Sequence, residues 1–292
     1  MSDAADSPPL GEAVPDPGAP VTDVHVHLMP DRLMAAIREA LTGAAGWSFP
    51  HPTDRAGVEA ALSAAGVERY VALPYTASPG TAADLNDWVL NRAAESAMAV
   101  PFATVHPEDD VAGVVGDAFA AGARGLKFQC PVQEVAPDDP RLAPAFELAA
   151  EHDRPVLFHA GTAPMFEDSP YVGADRFENF LGSYPEVRAA CAHMGTFDWE
   201  RFVDVVATHD NAYLDTSFAM STAAADHMAF DPGDVPDAVF EDHADRLMYG
   251  SDFPNVPHPY GAERAGLLAR ELPAETYRDL FARTAERFLG ER

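Results

Sequence analysis

Short runs of apolar and β-branched residues recur along the chain, and stretches with amphipathic helical periodicity lie between them. Eight of these runs are typical of strands, at residues 21–28, 68–75, 99–106, 123–129, 154–160, 187–194, 211–217 and 246–252. The stretches 81–97, 139–153 and 273–290 have the apolar spacing of helices. Eight strands that alternate with helices predict an α/β protein with a (β/α)8 TIM barrel, and an open doubly wound sheet is the alternative.

The segment after the first strand departs from this rhythm. Residues 28–53 form an insertion in which 31–47 is predicted to be an additional helix. On a barrel this insertion lies at the mouth of the active site, which makes it a candidate lid. Residues 1–20 contain mostly Pro, Gly, Ala and Asp without periodicity and predict a flexible acidic tail, so that 21–292 form one barrel domain.

The charge of the 292-residue chain limits its partners. There are 47 acidic and 19 basic residues, which give a formal net charge of -28. Nucleic acid and anionic membrane surfaces are excluded as partners, because so acidic a chain repels phosphate and lacks a basic patch. Lys127 is the single lysine beside 18 arginines. This composition predicts a halophilic protein, since molar salt shortens the Debye length to about 3 Å; an acidic mesophilic enzyme is the alternative.

Several other classes lose their support. Cys130 and Cys191 are far apart and form no C-x-x-C pair, so neither a disulfide framework nor a thiolate zinc site is predicted. The sequence has no phosphate-binding loop, no GxSxG serine elbow and no HExxH motif. No apolar run approaches the roughly 18 residues of a membrane span, and no signal peptide is recognisable, so we expect a cytoplasmic protein.

Polar residues that interrupt the ends of the apolar strands carry the candidate chemistry. The first strand ends in His25-Val26-His27, and two residues at i and i+2 point to the same side of a strand. Polar residues also lie at the ends of later predicted strands, and the sequence distances between them correspond to whole numbers of βα units. Alternation makes these residues candidates for the inward face at the C-terminal end of the barrel: Asp23, His25, His27, Lys127, His159, His193, Asp215 and Asp252.

These residue types together indicate a metal site. Neutral imidazoles and one carboxylate suit Zn²⁺, with Mn²⁺ or Fe²⁺ as alternatives. An open position on the ion takes a water whose pKa falls toward about 7. Without an ion, burial of several histidines, an aspartate and a lysine would be costly.

Five motifs, in this order and spacing, carry a family resemblance: DVHVHL, GLKFQ, PVLFHAG, AHMG and YGSDFP. They resemble the amidohydrolase superfamily, and specifically the amidohydrolase-related branch that also contains aminocarboxymuconate semialdehyde decarboxylase. The likeness spans about 21–289 and includes a TAERFLG ending similar to the family's Asn-Ala-x-Arg-Leu-Leu-Gly.

The resemblance implies the roles of the site residues. His25, His27, His159 and Asp252 would hold the metal ion. His193 would contact the substrate or the metal-activated water, or serve as a hydrogen-bond partner of a ligand. In hydrolytic members the aspartate of strand 8, here Asp252, accepts the proton of the water. The resemblance also implies a homodimer, by analogy alone.

Lys127 has three interpretations. In binuclear amidohydrolases a lysine of strand 4 is carboxylated and bridges two metal ions, whereas in mononuclear members this position is free to bind substrate. An ammonium at Lys127 would anchor a substrate carboxylate or polarise a carbonyl. The third interpretation is a structural partner of an aspartate or of Gln129.

Three further residues are weaker candidates. Asp215 would orient His193 or Lys127, contribute to substrate binding, or only stabilise the fold. His106 would line the pocket or cap a turn. His258, six residues beyond Asp252, is singled out among the remaining histidines because it follows the same loop.

The predicted function is hydrolysis of a small organic amide, ester or lactone by a metal-activated water, with His193 and Asp252 as catalytic residues. The alternative is non-oxidative decarboxylation of an unsaturated or aromatic acid. A decarboxylase is expected to gather cations around its anionic substrate, for which Lys127, Arg32 and Arg176 are candidates. A barrel that has lost catalysis and serves as a scaffold is the remaining hypothesis.

Overall fold

The computed structural model describes residues 14–291. The predicted flexible tail therefore lies outside the described residues as far as residue 13. Residues 14–20 form neither a helix nor a strand, but they contact the barrel domain. The carbonyl oxygen of Pro15 accepts a hydrogen bond from Nη1 of the buried Arg264 at 3.1 Å, and Val14 packs against the core.

Eight parallel strands form the centre of the molecule. They are β1 (Thr22–Val26), β2 (Arg69–Ala72), β3 (Ala99–Pro101), β4 (Leu126–Phe128), β5 (Val156–Phe158), β6 (Ala189–Cys191), β7 (Ala212–Asp215) and β8 (Leu247–Met248). They pair in sequence order as β1–β3 and β4–β8, and the parallel bridges Ala103–Leu126 and Val26–Phe253 connect these two groups. The ring closes, and each predicted run contains one strand, so the (β/α)8 TIM barrel is confirmed.

Helices surround the barrel and cover its ends. They are α1 (Asp31–Ala45), α2 (Arg55–Ala64), α3 (Ala82–Ala94), α4 (Val111–Ala120), α5 (Cys130–Gln133), α6 (Ala143–Glu151), α7 (Ala174–Ser183), α8 (Trp199–Thr208), α9 (Ala224–Met228), α10 (Asp237–Asp242), α11 (Gly261–Leu268), α12 (Ala274–Arg278) and α13 (Thr284–Phe288). The predicted helix at 273–290 is present, but a π-helical turn at Asp279–Arg283 separates α12 from α13. None of the helices in the described part of the chain is long and apolar enough to cross a membrane.

The insertion after β1 contains the expected helix. Helix α1 ends at Gly46, whose φ of 71° is in the left-handed region that glycine adopts readily. Leu41 of this helix and Trp47 just beyond it line the central pocket. The helix therefore borders the site, and its opening and closing as a lid stays a prediction.

The two ends of the barrel differ in polarity. Phe288 and Leu289 belong to an apolar cluster with residues inside the barrel such as Leu157 and Met248. Glu291 pairs with Arg69 and Arg124 at the N-terminal ends of strands, so the last helix covers that end. The polar side chains gather at the opposite end, where barrel enzymes hold their active sites.

Candidate metal centre

Three side chains from β1 and the loop after β8 meet at one point, and we call them the β1–β8 triad: His25, His27 and Asp252. Oδ1 of Asp252 lies 3.0 Å from Nε2 of His27 and 3.3 Å from Nε2 of His25. The potential ligand atoms of all three lie within 4.8 Å of one another. Two imidazoles and one carboxylate in this arrangement can hold a divalent ion and leave further coordination positions free.

Each imidazole of the triad is oriented through its other nitrogen. His27 Nδ1 donates to the carbonyl oxygen of Leu73 at 2.9 Å, and His25 Nδ1 donates to Oδ2 of Asp215 at 2.9 Å. A carbonyl oxygen and an ionised carboxylate only accept, so both rings carry their proton on Nδ1 and turn Nε2 toward Asp252. Burial first and the charge of Lys127 second lower the pKa of His25 to about 4. The ring is neutral at pH 7, which is the form that binds metal.

Asp215 lies behind the triad. Besides His25, it accepts hydrogen bonds from the hydroxyl of Ser217 and from the backbone N–H groups of His193 and Ser217. Burial alone would raise its pKa, but the adjacent imidazole of His25 and its hydrogen bond hold the pKa of Asp215 well below its usual range. Asp215 is fully buried and absent from the pocket wall. The geometry therefore supports orientation of His25 and not contact with a substrate.

The remaining two histidines, His159 and His193, are here called the β5–β6 pair. His193 adjoins the triad: its ring stacks on that of His25 with 5.1 Å between the centroids, and its ligand atom lies within 4.8 Å of those of His25 and Asp215. His159 Nδ1 lies 3.1 Å from Nε2 of His193, and Nδ1 of His193 donates to the carbonyl oxygen of Ser217 at 3.0 Å. His159 is not within the 4.8 Å group of the triad, so the expected set of four ligands is divided between two units. Its assignment as a ligand of the same ion stays a prediction.

The backbone brings these histidines together by unusual conformations. His193 and Asp252 have φ values of 58° and 61°, in the left-handed region that non-glycine residues rarely adopt. A Cβ at Gly161 would lie 2.5 Å from Cα of Gly195, so the loops after β5 and β6 touch through two glycines. This contact sets the spacing of the β5–β6 pair.

Lys127 is fully buried in the barrel, and its Nζ has no hydrogen-bond partner among the described residues. Burial lowers its pKa to about 8, against the opposing charges of Asp215 and Asp252. His25 Nε2 and His159 Nε2 are likewise buried without a hydrogen-bond partner. Buried polar atoms are nearly always partnered, so the triad fits a bound cation, whose coordination would satisfy His25 Nε2.

Above the triad lies a pocket with largely apolar walls. Its lining consists of His27, Leu41, Trp47, Tyr75, Gln129, His159, Ala163, Pro164, Met165, Phe166, His193, Phe218, Met228, Asp252 and Asn255. Its polar lining includes His27 and Asp252 of the triad and both histidines of the β5–β6 pair. A planar molecule with one polar end would fit this distribution.

Several expected pocket residues lie elsewhere. Asp23 binds Ser251 and Tyr260 because the register of β1 shifts between Asp23 and Val26, which breaks the alternation. His106 is not in the pocket lining, and its Nδ1 accepts from the N–H of Glu108, as a turn cap does.

The expected arginine cations are also absent from the pocket. Arg32 is exposed on α1, and Arg176 pairs with Asp138 at 3.0 Å. Both expectations were wrong, because the two side chains follow their helices to the solvent. Among the described residues, no Lys or Arg lines the pocket.

Sequence reasoning missed residues that hold or cover the site. Ser217 contacts Asp215, His25 and His193 through its hydroxyl. Trp47, Tyr75, Phe166 and Phe218 form aromatic walls. Ser217 follows Asp215 at the i+2 position, which is the one sequence signal that would have indicated it.

The family of the chain follows from its sequence profile. A family model described as "Amidohydrolase" matches residues 22–290, so the chain belongs to the amidohydrolase family. This confirms the resemblance and makes the protein a metal-dependent enzyme of the amidohydrolase type, a hydrolase or a carboxy-lyase. None of the curated proteins matches the chain in sequence.

Solved structures share the fold at low identity. An uncharacterized TIM-barrel protein from Bordetella bronchiseptica is 17% identical with a TM-score of 0.72, over 92% of this chain and 98% of that one. A 5-carboxyvanillate decarboxylase from Novosphingobium aromaticivorans, with bound manganese, is 15% identical with a TM-score of 0.64, over 94% and 98%. A 2,6-dihydroxybenzoate decarboxylase from Rhizobium is 15% identical with a TM-score of 0.66, over 93% and 99%.

Proposed function

We propose that this protein is a metal-dependent, non-oxidative decarboxylase of a small planar monocarboxylic acid, aromatic or conjugated. The observation that carries the proposal is the pocket, in which Trp47, Phe166, Phe218 and Met228 lie around a polar end formed by histidines and Asp252. Two fold neighbours named as aromatic acid decarboxylases support the same reaction class. Decarboxylation thereby replaces hydrolysis as the leading hypothesis.

An apolar pocket favours loss of CO2 on physical grounds. A carboxylate that enters it loses hydration, whereas the transition state spreads its negative charge into the ring or conjugated chain. The bond to the carboxyl carbon breaks, its electron pair stays on the substrate carbon, and this carbon takes one proton. That proton comes from water, and His193 and Asp252, which line the pocket, are the groups positioned to accept hydrogen bonds from and orient that water.

The triad would hold the ion, for which we propose Zn²⁺, with Mn²⁺ as the alternative. A bound divalent ion acts as a Lewis acid toward substrate oxygens and offsets the negative charge of the acid. With no Lys or Arg in the described pocket lining, a second carboxylate at the far end of the substrate would lack a partner. Gln129, Asn255 and the hydroxyl of Tyr75 can instead hydrogen-bond a neutral ring substituent.

Hydrolysis of an ester, amide or lactone is the second candidate. Burial would raise the pKa of Asp252, but the hydrogen bond of His27 and the neighbouring imidazoles of His25 and His193 hold it well below its usual range. An ionised carboxylate on the pocket wall can accept a proton from water, as hydrolysis requires.

The two candidates are distinguished by their products. Protein loaded with Zn²⁺ or Mn²⁺ is incubated in D2O with hydroxybenzoates and cinnamates that carry ¹³C in the carboxyl group, and with esters and lactones of similar size. We expect ¹³CO2 together with deuterium on the carbon that held the carboxyl group, and His27→Ala should abolish both. Isophthalates, which are diacids, should react more slowly. Ester or lactone hydrolysis without any ¹³CO2 would overturn the proposal.

A further inference from the structure

The peptide group between Ser217 and Phe218 lies against His193 on the side away from His159. Its carbonyl oxygen accepts from Nδ1 of His193 at 3.0 Å, and its N–H donates to Oε2 of Glu263 at 2.9 Å. The Ser217 hydroxyl also lies 2.9 Å from Nδ1 of His193, but it donates its proton to Asp215. Since neither this oxygen nor the carbonyl oxygen then donates to Nδ1, the proton of His193 is on Nδ1 and Nε2 faces His159. The same carbonyl oxygen also accepts from the backbone N–H of Ala219 at 2.6 Å, and a rotation of this peptide group would break all three bonds.

Glu263 has no direct access to the pocket. It lies on α11 with 1% of its side chain exposed, and it is absent from the pocket lining. Its Oε1 lies 3.2 Å from Nε2 of His258, which is equally buried. Burial raises the pKa of Glu263 to about 7. Burial opposes the charged form of His258, but the neighbouring carboxylate of Glu263 raises the pKa of His258. A buried acid and base that face each other compensate their cost of burial.

The backbone of Phe218 has a strained conformation that requires stabilisation. Its φ of 59° is in the left-handed region, which is strained for a large side chain. Its ring lines the pocket and lies 5.2 Å from the ring of Trp47. The bond from its N–H to Glu263 therefore holds a conformation that the local sequence does not favour.

We propose that Glu263, supported by His258, is a positioning residue for His193. It holds the Ser217–Phe218 peptide group so that the carbonyl of Ser217 selects the Nδ1–H tautomer of His193 and keeps Nε2 turned toward His159. Only the kinetic consequence of this inference rests on the proposed function, because the tautomer is a property of the protein itself.

The test compares Glu263→Met with Glu263→Gln in the full-length, Zn²⁺-loaded protein. Methionine fills the volume but cannot accept the hydrogen bond, whereas the amide oxygen of glutamine can. In ¹⁵N imidazole NMR, with His193 assigned from the spectrum of His193→Gln, we expect Glu263→Met to lose the Nδ1–H tautomer and Glu263→Gln to retain it. We expect kcat of Glu263→Met to fall about 10- to 100-fold with little change in KM.

A matched control separates positioning from a loss of stability. Glu59 accepts a hydrogen bond from the Tyr70 hydroxyl at 3.0 Å and is absent from the pocket lining, so Glu59→Met should lower Tm without changing the tautomer of His193. The wild-type spectrum is informative even when Glu263→Met does not fold, because a wild-type Nε2–H tautomer would overturn the inference. An unchanged tautomer in folded Glu263→Met would overturn it too. An altered tautomer in a protein that releases no CO2 would support the inference while the proposed function fails.

Discussion

The β1–β8 triad and the β5–β6 pair contain similar side chains but are built differently. In the triad both imidazoles are fixed from behind and turn Nε2 toward one carboxylate oxygen, at 3.0 and 3.3 Å. In the pair the two imidazoles face each other at 3.1 Å, and only His193 is held from behind. The difference teaches that histidine content alone does not define a metal site: the triad is oriented for an ion before any ion binds, whereas the pair is oriented for a proton or a shared ligand.

Removal of the triad should have the largest effect on metal binding and activity. The double variant His25→Ala, His27→Ala should lose bound metal and activity, by more than the roughly 10- to 100-fold that loss of an outer hydrogen-bond partner causes. Elemental analysis of the purified protein measures this directly. His209→Ala is the control, because His209 bonds only within its own helix end. Retention of a full equivalent of metal by the double variant would transfer the site to the β5–β6 pair.

Lys127 decides whether the triad and the pair share two ions. A carboxylated Lys127 that bridges them would add the mass of one CO2 to the native protein, lost on acidification, and Lys127→Met would then release a metal equivalent. If Lys127 is instead an uncarboxylated ammonium, Lys127→Met should keep its metal with little change in KM, because Lys127 is fully buried and does not line the pocket. In that case we expect stability to rise by about 1–3 kcal/mol, because the variant removes a buried charge without a partner. Native mass spectrometry, metal analysis and thermal unfolding together separate these outcomes.

The barrel and the ring of polar strand ends could be predicted from sequence, since both depend on local periodicity. Each of the eight runs contains a strand, and the residues of the triad and the pair lie together at one end. The division into two units could not be predicted. It depends on bonds such as the one from His25 to Asp215, which are 190 residues apart, and on left-handed residues such as His193 and Phe218 that periodicity does not encode.

The charge pattern adds a second lesson about Lys127. The single lysine of the chain is fully buried. The permanently charged basic side chains of the surface are therefore all arginines. This sharpens the composition argument for a halophilic protein, which stays a prediction. Lys127 also lies where a lysine is most costly, as expected for a group with a chemical role.

The smallest change concerns the spacing of the β5–β6 pair alone. Gly161→Ala would place a Cβ 2.5 Å from the backbone of Gly195, so the loops after β5 and β6 must separate. We expect a loss of about 1–3 kcal/mol in unfolding free energy and a lower kcat, with the metal content of the triad retained. Gly182→Ala is the matched control, because its Cβ would meet nothing within 4 Å and an alanine on exposed helix α7 should stabilise by roughly 0.5–1 kcal/mol. If Gly161→Ala instead loses metal in proportion to activity, His159 is a ligand of the same ion as the triad, and the two units are one site.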